Sequence, residues 1–174
     1  MPESTRESFL KCFSKLKQNV LWKVAYYLPG LPSNVRLGKW FPQSDILAHP
    51  NVKLFISNAG LMGAEEATYF GVPMVVIPIM FDQHFNALRL QSAGTTLILD
   101  ARNITEKSLC SAIDEILQNP EYQENAKRLS VVMKDQPQTP MERAIFWAEY
   151  SIRHKGAPHL HSPALNLNFV STTF

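Results

Sequence analysis

Three short runs, LFIS (54–57), MVVIP (74–78) and TLIL (96–99), are almost uninterruptedly apolar and are separated by segments of helical periodicity. A strand covered on both faces reads this way, because neither side of it meets water. Apolar strands alternating with helices imply a parallel sheet, since parallel neighbours need a long crossover between them. The chain is therefore expected to be α/β, a Rossmann-like parallel sheet flanked by helices. Strands are expected at Val20–Ala25, Val35–Trp40, Lys53–Ser57, Met74–Pro78 and Thr95–Asp100. Helices are expected at Glu7–Gln18, Gln43–Ala48, Leu61–Phe70, Gln83–Ser92, Thr105–Gln118, Pro120–Lys134 and Met141–His154. The pattern supports one domain over residues 1–154 and an irregular tail over 155–174. A doubly wound domain opens with a strand, whereas this chain opens with a helical pattern, so the first strand is expected to be missing.

Local chemistry supports several of these boundaries. Gly71 follows the third helix and Pro73 blocks its continuation. Thr105 is a natural N-cap with Glu106 in the first turn, and Leu109, Ile113, Ile116 and Leu117 supply one apolar face. Pro120 suits the first turn of the next helix.

Composition excludes several functional classes. The 174 residues are 45% hydrophobic and 18% charged, with 17 basic and 15 acidic side chains. That is a globular balance, and a net charge of +2 with no basic block gives no footprint for nucleic acid. The start of the chain has early charges and no apolar core, so it is not read as a secretory signal. No apolar run approaches a membrane span, and the chain as given is expected to be soluble. Two cysteines, Cys12 and Cys110, are too few for a disulfide framework and are read as buried free thiols. No metal site is expected, because His159 and His161 have no carboxylate or thiol at ligand spacing. His49, followed by Pro50, reads as a helix end. No nucleophile motif is present, so hydrolase chemistry has no foothold.

Chemistry concentrates between Trp40 and Gln83. In an open parallel sheet the carboxyl ends of the strands line the ligand crevice, and three loops of this segment fall on that edge. Ser57-Asn58-Ala59-Gly60 is a strand-to-helix turn in which Gly60 and Gly63 allow close backbone approach. The free amides and positive dipole end of the following helix suit a phosphate, although a plain tight turn reads equally well. The pattern is neither a dinucleotide fingerprint nor a P-loop. Glu66 shares a helix face with Met62 and Gly63, and its carboxylate can accept from a ribose diol or stand solvated. Trp40 offers a flat face for a base, or packs at a strand end. Asp82 and Gln83 combine acceptor and amide groups suited to sugar hydroxyls, or form a solvated turn.

Trp40 to Gln83 resembles the donor-binding signature of UDP-glycosyltransferases: W-x-P-Q, then LAHP, F-I-S-x-x-G, Glu66, GVPM, P and DQ. The flanks VLWKV, LPSNVRLGKW, NAKRLSVVMKDQP and AIFWAEYSIRHKGAPHL resemble the animal, membrane-anchored branch, so nearly the whole chain is covered. The resemblance implies the C-terminal, donor-binding domain of a GT-B fold. It implies that Trp40 stacks on uracil, Gln43 contacts the nucleoside and Glu66 holds the ribose hydroxyls. It further implies that Asn58 and the Gly60–Gly63 turn receive the diphosphate, and that Asp82 and Gln83 hold the transferred hexose or hexuronic acid. UDP-sugar is then a co-substrate, with neither cofactor nor metal. A small lipophilic acceptor and the general base belong to the N-terminal half, so no catalytic residue is expected in this chain, which is inactive alone. The resemblance allows homo- or hetero-oligomers with full-length relatives and implies the endoplasmic reticulum membrane. Three residues depart from the family. Asn58 and Ala59 replace the first His-Gly of His-Gly-Gly, and Gly63 stands where many members have Ser. Asn58 cannot become cationic, so weaker diphosphate binding is expected. The competing reading is a non-catalytic nucleotide-binding or interaction fragment that modulates a full-length partner.

Overall fold

The computed structural model of the chain describes residues 2–25 and 28–166. Among the described residues there are seven α-helices, α1 Glu3–Phe13, α2 Gln43–Ala48, α3 Leu61–Phe70, α4 Gln83–Ser92, α5 Glu106–Gln118, α6 Pro120–Lys134 and α7 Pro140–Arg153. The five strands are β1 Val20–Lys23, β2 Val35–Gly38, β3 Phe55–Ser57, β4 Met74–Val76 and β5 Thr96–Ile98. All strand pairs are parallel, as the apolar runs imply. They form two ladders, β1–β2 and β3–β4–β5.

The second ladder shows why those runs are continuous. β4 lies between β3 and β5, and Met74, Val75 and Val76 are all buried. Val75 packs in a cluster with Phe9, Phe13, Val35, Leu109, Ile113 and Ile116. Met74 and Val76 enter another with Leu47, Ala59, Ala64, Ala67, Ala87 and Leu90. The two-residue period thus sends neighbouring side chains to opposite faces, each covered by helices. Removing one such side chain from water contributes roughly 1.5–3 kcal/mol.

Helix ends follow their local chemistry. Thr105 Oγ1 accepts from the Ser108 amide at 3.1 Å and Ser108 Oγ accepts from the Thr105 amide at 3.0 Å, a reciprocal cap that starts α5. Gly71 ends α3 at φ +67°, and a Cβ there would lie 3.3 Å from the Lys127 backbone, so both conformation and space select glycine.

Two expectations are corrected. The first helix runs over Glu3–Phe13 rather than Glu7–Gln18, because the Asn34 side-chain amide gathers the carbonyls of Phe13, Leu16 and Gln18 into a turn. The cysteines are not free: Cys12 and Cys110 form a disulfide with Cα atoms 5.5 Å apart, 98 residues distant in sequence. Packing of α1 on α5 creates that proximity, and sequence spacing carries no trace of it.

The chain divides into two compact units, residues 1–134 and 135–174. The second holds α7, capped by Thr139 and Glu142, and two short 3-10 turns at Pro158–Leu160 and Pro163–Asn166. Residues 167–174 of the expected tail lie outside the described residues. Among the described residues no helix is long and apolar enough to cross a membrane, and no metal-binding group of His, Cys, Asp or Glu is gathered.

Candidate functional site

The parallel ladders place the loops after β2, β3 and β4 at the carboxyl ends of their strands, where the polar residues of the Trp40–Gln83 segment collect. After β2 the chain passes Trp40, whose indole is 71% exposed, and turns into the short helix α2. Gln43 and Ser44 occupy its first turn. Gln43 Nε2 donates to Glu66 Oε2 at 2.5 Å, and Ser44 Oγ donates to Glu66 Oε1 at 2.9 Å. Each carboxylate oxygen therefore has one partner and retains acceptor capacity. Gly63 lies beneath this bridge: a Cβ there would sit 3.6 Å from Gln43 Nε2 and 3.7 Å from the Phe55 ring.

After β3 the turn Asn58-Ala59-Gly60 leads into α3. Asn58 Oδ1 accepts from the Gly60 amide at 3.2 Å, and Ser57 Oγ accepts from the Ala59 amide at 3.1 Å. The first intrahelical bond runs from the Ala64 amide to the Gly60 carbonyl, which leaves the Leu61, Met62 and Gly63 amides as the open donors of the first turn. Ala59 adopts φ +59°, and its methyl is fully buried in the α3–α4 core cluster. The Ala59 Cβ thus points into the core and not toward a ligand at this edge.

After β4 the loop Ile79-Met80-Phe81 exposes three apolar side chains, with Phe81 at φ +55° and 87% exposed. Asp82 then precedes α4 and Gln83 begins it. Gln83 Oε1 accepts from the Ile79 amide at 2.8 Å and the Met80 amide at 3.2 Å. Its oxygen is committed to shaping the loop, and its Nε2 remains the group with donors to offer. Beyond β5, Arg102 grips Asp100 through Nε and Nη2 at 3.2 and 3.1 Å, and these bonds hold the Asp100 carboxyl below the usual range.

Two residues joined to this edge are absent from the sequence reading. Ser44 is one position beyond Gln43, and its neighbour in the same helical turn is the signal that points to it. Asn86 lies four residues after Asp82, the spacing at which helical side chains meet. Neither of the two described depressions coincides with this edge. One, of about 390 Å³, lies beside Lys15, Glu106 and Asp114, and one of about 570 Å³ is lined by Lys53, Pro73 and Lys127. The strand-carboxyl edge is open surface, distinguished by its side-chain chemistry and by free helix amides.

The family profile described as "UDP-glucoronosyl and UDP-glucosyl transferase" matches residues 1–171. The chain is 47% identical over 167 residues to UDP-glycosyltransferase UGT5 of Dactylopius coccus, covering 95% of this chain and 32% of that protein. It is 40% identical over 171 residues to human UDP-glucuronosyltransferase 2B15, covering 98% and 32% respectively. Among solved structures, the glycotransferase of kitacinnamycin superimposes with a TM-score of 0.68 at 27% identity, over 75% of this chain and 35% of that one. The chain spans about a third of the length of the curated relatives it matches.

Proposed function

The chain belongs to the UDP-glucuronosyl and UDP-glucosyl transferase family, and on that premise we propose that it is the donor-binding half of an inverting UDP-glycosyltransferase. The transferred group is a hexose or hexuronic acid, and the acceptor is a small lipophilic molecule. The acceptor hydroxyl displaces UDP at the anomeric carbon after losing its proton to a base outside this chain. This chain's part is to seat the nucleotide and stabilise the departing diphosphate. Trp40 stacks on uracil, and Gln43 contacts the nucleoside. Glu66 accepts from the ribose hydroxyls. The open Leu61, Met62 and Gly63 amides, with the α3 dipole, meet the charge that develops on the leaving group. Asp82 and the Gln83 amide hold the sugar, and no metal is required for these roles.

The observation that carries this reading is the convergence of Gln43 and Ser44 on Glu66, three residues after an exposed tryptophan and one turn into a helix with free amides. Exposed Ile79, Met80 and Phe81 beside Asp82 support an apolar acceptor. The Cys12–Cys110 bridge supports an oxidising compartment such as the endoplasmic reticulum lumen, since disulfides persist there and not in the cytosol. The reading is tested by titrating the chain with UDP in a calorimeter. Saturable one-to-one binding is expected, and an absence of binding would overturn it.

A second reading, a nucleotide-binding or interaction fragment without catalytic output, draws on Asn58. Its side-chain oxygen is spent on the Gly60 amide, and it brings no positive charge to the diphosphate. Saturable UDP binding without glycosyl transfer, when the chain is mixed with a full-length relative lacking its own donor site, favours this second reading.

A further inference from the structure

Asn86 stands in the first turns of α4 and is buried, with 8% of its surface exposed. Its Nδ2 donates to the Ala59 carbonyl at 3.1 Å and to Asp82 Oδ2 at 2.8 Å. Both partners are pure acceptors, so the amide nitrogen must face them and each of its two hydrogens is used. One partner belongs to the turn after β3 and the other to the entry of α4, 27 residues apart from Asn86 and 4 residues apart from it respectively. Ala59 is a non-glycine residue in left-handed conformation, a strained geometry that persists only when its surroundings hold it. A bond to its carbonyl from a buried amide supplies such a hold.

We propose that Asn86 is a positioning residue for the donor site, one amide that fixes the turn leading into α3 and the Asp82 carboxylate relative to each other. The inference rests on the donor-site reading above. The turn carries the amides assigned to the diphosphate, and Asp82 is the group assigned to the sugar. The bond between phosphate and sugar is the bond that transfer breaks, so the spacing of these two protein groups sets whether that bond is held correctly. Asn86 itself touches neither ligand portion in this account; it acts through Asp82 and Ala59.

The uridine end depends on Trp40, Gln43 and Glu66, none of which bonds Asn86. UMP and UDP-sugar therefore respond differently. The experiment is a double-mutant cycle on the full chain with Asn86→Ala, Asp82→Ala and the combined variant, titrated with UMP, UDP-glucose and UDP-glucuronic acid. Each single variant is expected to weaken at least one UDP-sugar about tenfold, while UMP stays within about twofold. The combined variant is expected to lose less than the sum of the two single losses, because the share of Asn86 that acts through Asp82 is already gone, while the share that acts through the Ala59 turn remains. Additive losses, or a UMP loss equal to the UDP-sugar loss, would overturn the role of Asn86. If the wild-type chain binds UMP but neither UDP-sugar, the donor-site reading fails first, at its sugar end. Should Asn86→Ala fail to fold, Asn86→Ser, which keeps one donor, completes the cycle. Amide exchange at Ala59–Leu61 in the ligand-free variants is expected to quicken; exchange unchanged from wild type would sink the proposal without reference to any ligand.

Discussion

The side-chain amide of Gln43, in α2, donates to the Glu66 carboxylate of α3 across 2.5 Å, between residues 23 positions apart in the chain. The bond joins the loop that presents Trp40 to the helix that presents the open amides. It also fixes the carboxylate in a definite orientation, with one lone pair of each oxygen left over.

Glu66→Ala is expected to weaken UDP binding by roughly 10- to 100-fold, since hydrogen bonds to a charged acceptor are worth about 1.5–3 kcal/mol each. Calorimetric titration checks this. Gln43→Ala is expected to have a smaller effect, because Ser44 still holds one carboxylate oxygen. Equal affinities for Glu66→Ala and wild type would remove the ribose role.

Trp40, at 71%, is the most exposed of the three tryptophans. Uracil stacking is expected to quench its fluorescence. Trp40→Ala is expected to abolish that quench and weaken UDP by about 1–3 kcal/mol, the usual worth of a base–aromatic stack. Trp40→Phe retains part of the affinity.

Asn58→His introduces the residue that the sequence resemblance leads one to expect at this place. The neutral ring can accept from the Gly60 amide through one nitrogen and donate to phosphate through the other, whereas the protonated ring gives up that acceptor and adds a charge-assisted bond to phosphate. UDP affinity is expected to rise by about 1–2 kcal/mol, more at pH 6 than at pH 8, given the ordinary histidine range near about 6.5. Titrations at both pH values test it; an affinity that falls at pH 6 would contradict the assignment of this turn to the diphosphate.

Reducing the Cys12–Cys110 bridge, or replacing Cys110 by Ser, is expected to destabilise the first unit by about 2–4 kcal/mol, through the freedom regained by the unfolded chain. Urea denaturation with and without reductant measures it. Identical midpoints in the two conditions would mean the bridge contributes nothing.

Acid is expected to act through three carboxyls. Asp100 is lowered by its bonds to Arg102, Glu106 by its bond to Lys15 and Glu142 by the Thr139 amide. A carboxyl lowered by folding contributes stability above its unfolded value, and that contribution is lost as pH falls through the folded value. Stability from these groups should be level above about pH 5 and decline below about pH 4. Thermal melts across pH 3–7 read the profile, and Glu142→Gln should remove the α7 share of the decline.

What the sequence alone determines here is whatever local physics decides. The limits of α2, α3, α4 and α6 fall where local pattern puts them, and the continuous run at Met74–Val76 announces a strand buried on both faces. The residues of the candidate donor edge are legible from local pattern: Trp40, Gln43, Asp82 and Gln83 follow strands, Glu66 lies one turn into the helix after a strand, and each is named by its own chemistry. Tertiary structure decides what depends on distant partners. Cys12 meets Cys110 only because α1 packs on α5, and the end of α1 is set by Asn34, a residue of another loop. The inward turn of the Ala59 methyl follows from a positive φ that no residue type there would suggest. The Asn86 bond to Ala59 needs β3 and β4 to lie side by side, whereas its bond to Asp82 is local to the start of α4. Pairing over such separations is governed by the free energy of the whole packed unit, which short-range propensity does not encode.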